Sequence, residues 1–167
     1  MRNTNYMKTL IIFYSFEGNT KLLANAIAKE TGADILKLKP KKDIKSKGLT
    51  KYLWGGKQVI FNEKPEIEEY DINPQEYDLI FIGTPVWSLT YTPAINSFLD
   101  NHGLENKKVV LFCTHEGWIG KTLTGMKRRL RGNKIVAQKD FLNVFQDEKN
   151  NLVEAVEWVR EIKKLIS

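Results

Sequence analysis

Short runs of consecutive apolar residues alternate along the chain with segments in which apolar residues recur every three or four positions. The run Leu10–Phe13 is typical of a strand that is buried on both faces of a parallel sheet. Such runs predict five strands, at Lys8–Tyr14, Ala33–Lys39, Tyr77–Gly83, Lys108–Cys113 and within Lys134–Phe145. Helical spacing predicts four helices, at Thr20–Thr31, Pro93–Asn101, Lys121–Leu130 and Glu148–Ile166.

The alternation of strands and helices predicts a single α/β domain over residues 1–167, with a parallel sheet covered by helices on both faces. Residues 40–76 make a longer connection between the second and third strands, and residues 49–61 within it have helical spacing that two adjacent glycines interrupt. Residues 1–6 precede the first strand, and we expect either disorder there or a functional start at Met7.

Ligands of parallel α/β sheets bind beyond the carboxyl ends of the strands, so three loops form the candidate site. The first, Ser15–Thr20, supplies hydroxyls at both ends, and Gly18 allows the backbone to approach a ligand closely. The next helix starts with unpaired N–H groups and a partial positive charge, so the loop can hold a phosphate without a basic side chain. The same residue types favour ordinary helix caps, so this loop alone supports a structural role equally well.

Aromatic and polar side chains mark the two other loops. Trp87 and Tyr91 stand in the segment 83–93, where a tryptophan can stack on a planar heterocycle or pack beneath the loop. In the loop Thr114–Trp118, backbone N–H groups can hydrogen-bond ring carbonyls, and His115 is either a solvent-exposed loop residue or a group that titrates in a reaction. Residues 117–122 end in Gly-Lys-Thr but lack the earlier glycine of a nucleoside-triphosphate loop.

Composition narrows the classes of function. Cys113 is the only cysteine, which rules out an intramolecular disulfide, and its apolar surroundings predict a buried, inert thiol. The formal net charge of +6 favours acidic partners, but no recognised nucleic-acid module accompanies the basic residues, so we expect no nucleic-acid partner. No apolar run approaches the roughly 20 residues of a membrane span, and no signal peptide is recognised, so we expect no membrane association and a cytoplasmic protein.

The three loops, taken with their strands and helices, resemble the flavodoxin-like family. The opening LIIFYSFEGNTKLLANAIAKETGADILKL resembles the family's phosphate loop with its strand and helix. The segment DLIFIGTPVWSLTYTPAINSFLD resembles the strand and loop that cover one side of the flavin ring, and KKVVLFCTHEGWIGKTLTGMKRRL resembles the second ring-binding loop. The stretch KGLTKYLWGGKQVIFNEKPEI is similar to the segment between the second and third strands in a bacterial branch of that family.

This resemblance implies a doubly wound five-stranded parallel sheet with strand order 2-1-3-4-5, and flavin mononucleotide (FMN) as a non-covalent cofactor. It assigns the FMN phosphate to Ser15, Phe16, Glu17, Gly18, Asn19 and Thr20. It assigns the isoalloxazine ring to Thr84, Pro85, Val86, Trp87 and Ser88 on one side, and to Thr114, His115, Glu116 and Gly117 on the other. Trp87 is the expected stacking ring, and no catalytic residue or metal ligand is predicted.

The resemblance leaves three functions open. In the first, the protein transfers electrons, FMN cycles between oxidised, semiquinone and reduced states, and the partner is a redox protein or a reductase. In the second, it is an NAD(P)H-dependent FMN or quinone oxidoreductase, and in the third, an interaction domain without flavin. We expect a monomer or a homodimer.

Charge separates this chain from the family's dedicated electron carriers. Those proteins are usually strongly acidic, which lowers the potential of the flavin. A net charge of +6 therefore implies either a higher working potential or a local negative field from Glu17 and Glu116. The role of the basic segment 37–64 stays open.

Overall fold

The computed structural model describes residues 7–42 and 64–166, in which strands and helices alternate along the chain. The strands are β1 (Thr9–Phe13), β2 (Asp34–Lys37), β3 (Leu79–Pro85), β4 (Lys108–His115) and β5 (Lys134–Leu142). The α-helices are α1 (Asn19–Thr31), α2 (Pro93–Asn101), α3 (Thr122–Arg129) and α4 (Glu148–Ile166), and a single 3₁₀ turn at Pro74–Glu76 precedes β3. The expectations for residues 1–6 and 49–61 lie outside the described residues.

The five strands form one parallel sheet in the order β2-β1-β3-β4-β5, so the predicted fold class and strand order are confirmed. The residues Leu10–Phe13 of β1 are almost completely buried, as their continuous apolar run requires. The chain leaves β1 for the edge strand β2 and then returns to β3 on the other side of β1. The winding direction reverses there, which opens a crevice at the carboxyl ends of β1 and β3.

Helices cover both faces of the sheet. On one face, α1 and α4 pack against the aromatic side chains of β3, β4 and β5; the buried residues include Leu23, Ile27, Phe81, Phe112, Phe141, Val159 and Ile162. On the other face, α2 and α3 cover the alternate side chains of the same strands, including Ile80, Ile82, Ile95, Phe98, Leu111, Leu123 and Met126. The two apolar layers fix the position of the sheet, and the loops at its carboxyl edge are supported from both sides.

Local signals set the ends of the helices. Helix α1 ends at Gly32, which adopts the left-handed conformation (φ 69°) and donates its N–H to the carbonyl of Ala28 over 2.8 Å. Helix α2 begins at Pro93, whose missing N–H costs nothing in the first turn. In the part of the chain that the structure describes, no helix combines the length and the apolar character that a membrane crossing needs.

Two strands extend further than the sequence pattern predicted. Strand β3 continues to Pro85 and β4 continues to His115, because the pairing of Thr84 with Cys113 and of Pro85 with Thr114 prolongs the ladder. The four residues Thr84, Pro85, Thr114 and His115 therefore belong to strands, and assigning them to loops was wrong. This difference matters for the site, because alternate residues of a strand point to opposite faces.

Candidate functional site

A cleft of about 300 Å³ lies at the carboxyl edge of the sheet, where the winding direction reverses. Among the described residues, the ends of β3 and β4 and four loops line it. The loops are the first loop (15–18) with the start of α1, the second loop (86–92) between β3 and α2, the third loop (116–121) between β4 and α3, and the fourth loop (143–147) between β5 and α4. The lining residues are Ser15, Phe16, Glu17, Asn19, Thr20, Pro85, Val86, Trp87, Ser88, Leu89, Thr114, His115, Glu116, Gly117, Trp118 and Val144. The volume is at the lower end of the range for small-molecule pockets.

The first loop leaves N–H groups of α1 available to a ligand. The N-cap is Gly18 at φ 108°, and it has no side chain to cap the helix. The hydroxyl of Ser15 accepts the N–H of Lys21 over 3.2 Å, while among the described residues no hydrogen bond engages the N–H groups of Asn19 or Thr20. These two donors at the positive end of α1 face the position that an anion would take.

Hydrogen bonds from the other segments hold the start of α1 in place. The hydroxyls of Thr20 and Thr114 lie 2.9 Å apart, and both side chains are buried. The side-chain oxygen of Asn19 accepts the N–H of Phe145 over 3.2 Å, which ties the fourth loop to the first. Thr20 thus positions the helix start against β4, and its hydroxyl is already engaged within the protein.

The second loop contains a tight turn that holds its tip in an unusual backbone conformation. The N–H of Trp87 donates to the carbonyl of Thr90 over 2.9 Å, and the reverse bond measures 3.0 Å. Between them, Ser88 (φ 47°) and Leu89 (φ 63°) are both left-handed, which side chains disfavour. The turn presents Ser88 and Leu89 to the cleft, and Leu89 is 53% exposed.

Aromatic contacts fix Trp87 in the wall of the cleft. Its ring meets Tyr14 edge-on at 5.6 Å and Phe16 edge-on at 6.0 Å. Tyr91, by contrast, does not line the cleft, because it packs on the apolar layer of α2 and α3 and lies against Gly125 of α3. Of the two aromatic residues of this loop, only Trp87 can therefore meet a ligand.

The end of β4 and the third loop together place a histidine with a largely buried side chain close to an exposed tryptophan. The side chain of His115 is only 7% exposed, and its Nε2 lies 3.0 Å from a carboxylate oxygen of Asp140. Of the two alternatives that the sequence left open for His115, a solvent-exposed loop residue was wrong, because His115 ends β4 and lies against β5. Trp118 lies at the rim with 85% of its surface exposed. Among the described residues that line the cleft, Trp118 is the most exposed large apolar side chain.

Backbone hydrogen bonds join the second and third loops into one wall. The N–H of Val86 donates to the carbonyl of Thr114 over 2.9 Å, and the N–H of Lys121 donates to the carbonyl of Leu89 over 2.7 Å. Gly120 is left-handed (φ 53°), and a Cβ there would overlap the carbonyl group of Leu89. The close approach of these loops therefore requires glycine at position 120.

Thirteen of the fifteen residues predicted to hold the cofactor line the cleft, and two do not. Thr84 is completely buried and its hydroxyl contacts that of Thr92 at 3.2 Å, so it supports the second loop from below. Gly18 faces the ring of Phe145. Three lining residues were not assigned to the cofactor from the sequence: Leu89, Trp118 and Val144. Of these, Trp118 carries the clearest signal, because it is aromatic and is the last residue of the predicted loop Thr114–Trp118.

The described residues of this region offer neither an exposed thiol nor a cluster of metal ligands. Cys113 is fully buried, so the prediction of a buried thiol is confirmed, and burial raises the pKa of this thiol to about 12, which keeps it protonated at neutral pH. Within residues 7–42 and 64–166, no group of histidine, cysteine and carboxylate side chains is arranged to hold a metal ion. The cleft thus offers anion-binding N–H groups at one end and indole rings along its walls.

Comparison with solved structures finds the same fold in several proteins. The flavoprotein of Lactobacillus acidophilus in complex with FMN is 27% identical, with a TM-score of 0.70, over 86% of this chain and 97% of that chain. A candidate flavoprotein from Bacteroides eggerthii is 24% identical, with a TM-score of 0.78, over 94% and 98%. Oxidised flavodoxin 2 of Bacillus cereus is 16% identical, with a TM-score of 0.60, over 94% and 98%.

Sequence comparison agrees with the structural neighbours. Comparison with curated proteins finds no significant match. The flavodoxin family model, however, matches residues 8–161, which include every strand, the whole cleft and most of α4. The chain therefore belongs to the flavodoxin family.

Proposed function

We propose that this protein binds FMN in the cleft and transfers electrons through it. The observation that carries the proposal is the arrangement of the cleft itself, with free N–H groups of α1 at one end and tryptophans at the wall and rim. A related flavoprotein, from Lactobacillus acidophilus, has been solved with FMN. When bound, FMN supplies the electron transfer, and the protein contributes binding, orientation and electrostatics.

The residues present fit both ends of the cofactor. A phosphate at the first loop would receive the N–H groups of Asn19 and Thr20, together with the hydroxyl hydrogen of Ser15, whose oxygen already accepts from Lys21. Only a glycine at position 18 combines φ 108° with the approach of Phe145 to that position. The loop contains no basic side chain, so hydrogen bonds and the helix dipole would hold the phosphate.

Two tryptophans are placed to contact a flat ring. Trp87 is held by its edge contacts with Tyr14 and Phe16, so it forms a fixed wall. Trp118 has no such restraint and is 85% exposed, so stacking on a bound ring would bury a large apolar area. We therefore assign both Trp118 and Trp87 to ring binding, whereas the sequence predicted only Trp87 as the stacking ring.

The test compares FMN with riboflavin, which lacks the phosphate. The Lactobacillus acidophilus flavoprotein has also been solved in its apo form, so a flavin-free protein is a realistic starting point. We expect flavin fluorescence to be quenched on titration, with FMN bound at least about 100-fold more tightly than riboflavin, because hydrogen bonds to a charged group each contribute about 1.5–3 kcal/mol.

Two variants separate the ends of the site. Ser15→Ala should weaken FMN binding about tenfold and leave riboflavin nearly unchanged, since only the phosphate contacts that hydroxyl. Trp118→Ala should weaken both ligands by the same factor of about ten, because stacking involves the ring alone. Equal affinity for FMN and riboflavin would refute the phosphate assignment, and no binding at tens of micromolar FMN would refute the proposed function.

Electron transfer is distinguished from reductase activity by turnover with NAD(P)H. A carrier is reduced quickly by a protein reductase and oxidises NAD(P)H slowly, whereas a reductase consumes NAD(P)H in steady state. We expect the FMN-loaded protein to show the first behaviour. Steady-state NAD(P)H oxidation at a rate typical of enzymes, on the order of 10 per second, would replace the carrier function with that of an oxidoreductase.

A further inference from the structure

A basic surface runs from the cleft along α3. Residues 117–139 contain seven lysine and arginine residues and no aspartate or glutamate. Arg129 pairs with Asp100, and Lys139 pairs with Glu154 at 2.9 Å. Four exposed cations on α3 and immediately beside its two ends have no carboxylate partner among the described residues; we call them the α3 basic surface, and they are Lys121, Lys127, Arg128 and Arg131.

Stability does not explain this arrangement. The helix dipole favours Lys127 and Arg128 in the last turn of α3, but it disfavours a cation at the N-cap, where Lys121 lies. Arg131 lies beyond the end of α3 and adds a further positive charge near Lys127 and Arg128, with no carboxylate partner among the described residues. Cations kept together at a small cost in stability are more readily explained by a partner than by the fold.

The basic surface is continuous with the exposed apolar rim of the cleft. The N–H of Lys121 is bonded to the carbonyl of Leu89, and Trp118 lies three residues before Lys121. From Lys121, the cations extend about 10 Å along the helix to Arg128, at 1.5 Å per residue. An exposed aromatic residue beside polar and charged residues is a common composition of protein docking surfaces.

We propose that the α3 basic surface, together with Trp118 and Leu89, docks a redox partner protein through an acidic face of that partner. The proposal rests on FMN binding in the cleft, because electrons leave or enter the flavin at this rim. Two carboxylates, Glu17 and Glu116, also line the cleft. Glu17 belongs to the first loop and Glu116 to the start of the third. Because like charges repel, the acidic groups of a partner must lie on the other side of the cleft, over α3.

Single-stranded nucleic acid also binds surfaces that combine cations with exposed aromatic rings. The position of the surface favours a redox protein, because a partner that exchanges electrons with the flavin must approach this same rim. Long-range attraction between the basic surface and an acidic partner would accelerate their encounter by about tenfold or more at low salt. Nucleic-acid binding therefore becomes an outcome of the test.

The test uses one haem acceptor in two charge forms, native cytochrome c, which is basic, and succinylated cytochrome c, in which acidic groups replace the lysine charges. The FMN-loaded protein is reduced with dithionite, and each ferric haem then takes one electron from the reduced flavin in a stopped-flow mixer. We expect the succinylated form to be reduced about tenfold faster at an ionic strength of about 10 mM, where the Debye length is about 30 Å. At about 150 mM, where the Debye length is about 8 Å, the difference should largely vanish.

Two double variants with the same change in net charge locate the effect. Lys127→Glu/Arg128→Glu alters the basic surface, whereas Lys29→Glu/Lys164→Glu alters exposed lysines of α1 and α4 on the opposite face of the sheet. The first variant should lose the preference for succinylated cytochrome c, and the second should keep most of it. A preference for the native form, or equal effects of the two variants, would overturn the proposal.

Separate measurements distinguish this proposal from FMN binding itself. Bound flavin is measured by absorbance before mixing, so a colourless protein refutes the proposed function alone. Binding of oxidised succinylated cytochrome c, followed by calorimetry with and without flavin, still tests the docking surface. Binding of a thymidine oligonucleotide at about 150 mM salt, with no charge preference for the cytochromes, would replace the redox partner with a nucleic acid.

Discussion

Replacing Gly120 with alanine tests whether the second and third loops form one rigid wall of the cleft. Two effects add at this position. A left-handed alanine costs about 1–2 kcal/mol relative to glycine. The new Cβ would also lie 2.8 Å from the carbonyl carbon of Leu89 and would overlap its oxygen. Because that oxygen accepts the N–H of Lys121, relief of the overlap requires the loops to separate, which adds about 1–3 kcal/mol.

The chain offers two glycines as matched controls. Gly132 is also left-handed (φ 89°), but a Cβ there meets nothing within 4 Å, so Gly132→Ala measures the backbone effect alone. Gly103 has neither constraint, so Gly103→Ala should be close to neutral. Urea unfolding should rank the losses of stability as Gly120→Ala, then Gly132→Ala at about 1–2 kcal/mol, then Gly103→Ala.

The same variants connect the wall to the ligand. Leu89 lines the cleft, so separation of the loops in Gly120→Ala should also weaken FMN binding, whereas Gly132→Ala should leave it unchanged. If Gly120→Ala is no less stable than Gly132→Ala and binds FMN as tightly as the wild type, the two loops are not held together as the structure indicates. A change in affinity alone would show that they separate locally without global unfolding.

Two further predictions concern hydrogen bonds that hold the site and the sheet. Thr20→Val and Thr114→Val should each destabilise the protein by about 1–3 kcal/mol in urea unfolding, because either change leaves the other buried hydroxyl unpaired. The double variant should lose less stability than the sum of the two single variants, and strict additivity would contradict the pairing. Tyr77 donates its hydroxyl to Asp34 over 2.7 Å, and burial, followed by this bond, raises the pKa of Tyr77 to about 12 from the usual 10.0. The stabilisation that Tyr77 gives the folded protein is therefore fully present below pH 10. It is lost between pH 10 and pH 12, because Tyr77 ionises first in the unfolded chain, so the wild type should lose more stability than Tyr77→Phe over that interval. Parallel pH profiles of the two proteins would refute the bond.

Much of the fold is predictable from the sequence because each strand and helix carries its own signal. The apolar run of β1, the glycine that ends α1 and the proline that begins α2 are local features, and the structure confirms all three. The positions of the strand ends were less predictable. The pairing with β5 carries β4 on to His115, and only the folded sheet brings this residue against Asp140.

The cleft residues that directly follow a predicted strand could be identified from the sequence. Those that reach the cleft only because of the order of the strands in the sheet could not. The first three loops stand at the carboxyl ends of predicted strands, which is why most of their residues were identified. Val144 comes from the fourth loop, which contains no glycine and whose first residues fell within the stretch predicted to hold the last strand (134–145), and it reaches the cleft because β5 lies beside β4. Thr84 has the residue type of a ligand contact, but the pleat of β3 turns it into the interior.

The bond between Asn19 and Phe145 has a consequence for biosynthesis. It joins residues 126 positions apart, and Phe145 packs over the glycine that shapes the first loop. The first loop leaves the ribosome before the segment that holds it in place, because Phe145 is made 126 residues after Asn19. At about 5–20 residues per second, a nascent chain spends roughly 6–25 seconds with the first loop made but without this contact. The capture of FMN that we propose therefore waits until the segment around Phe145 has been made.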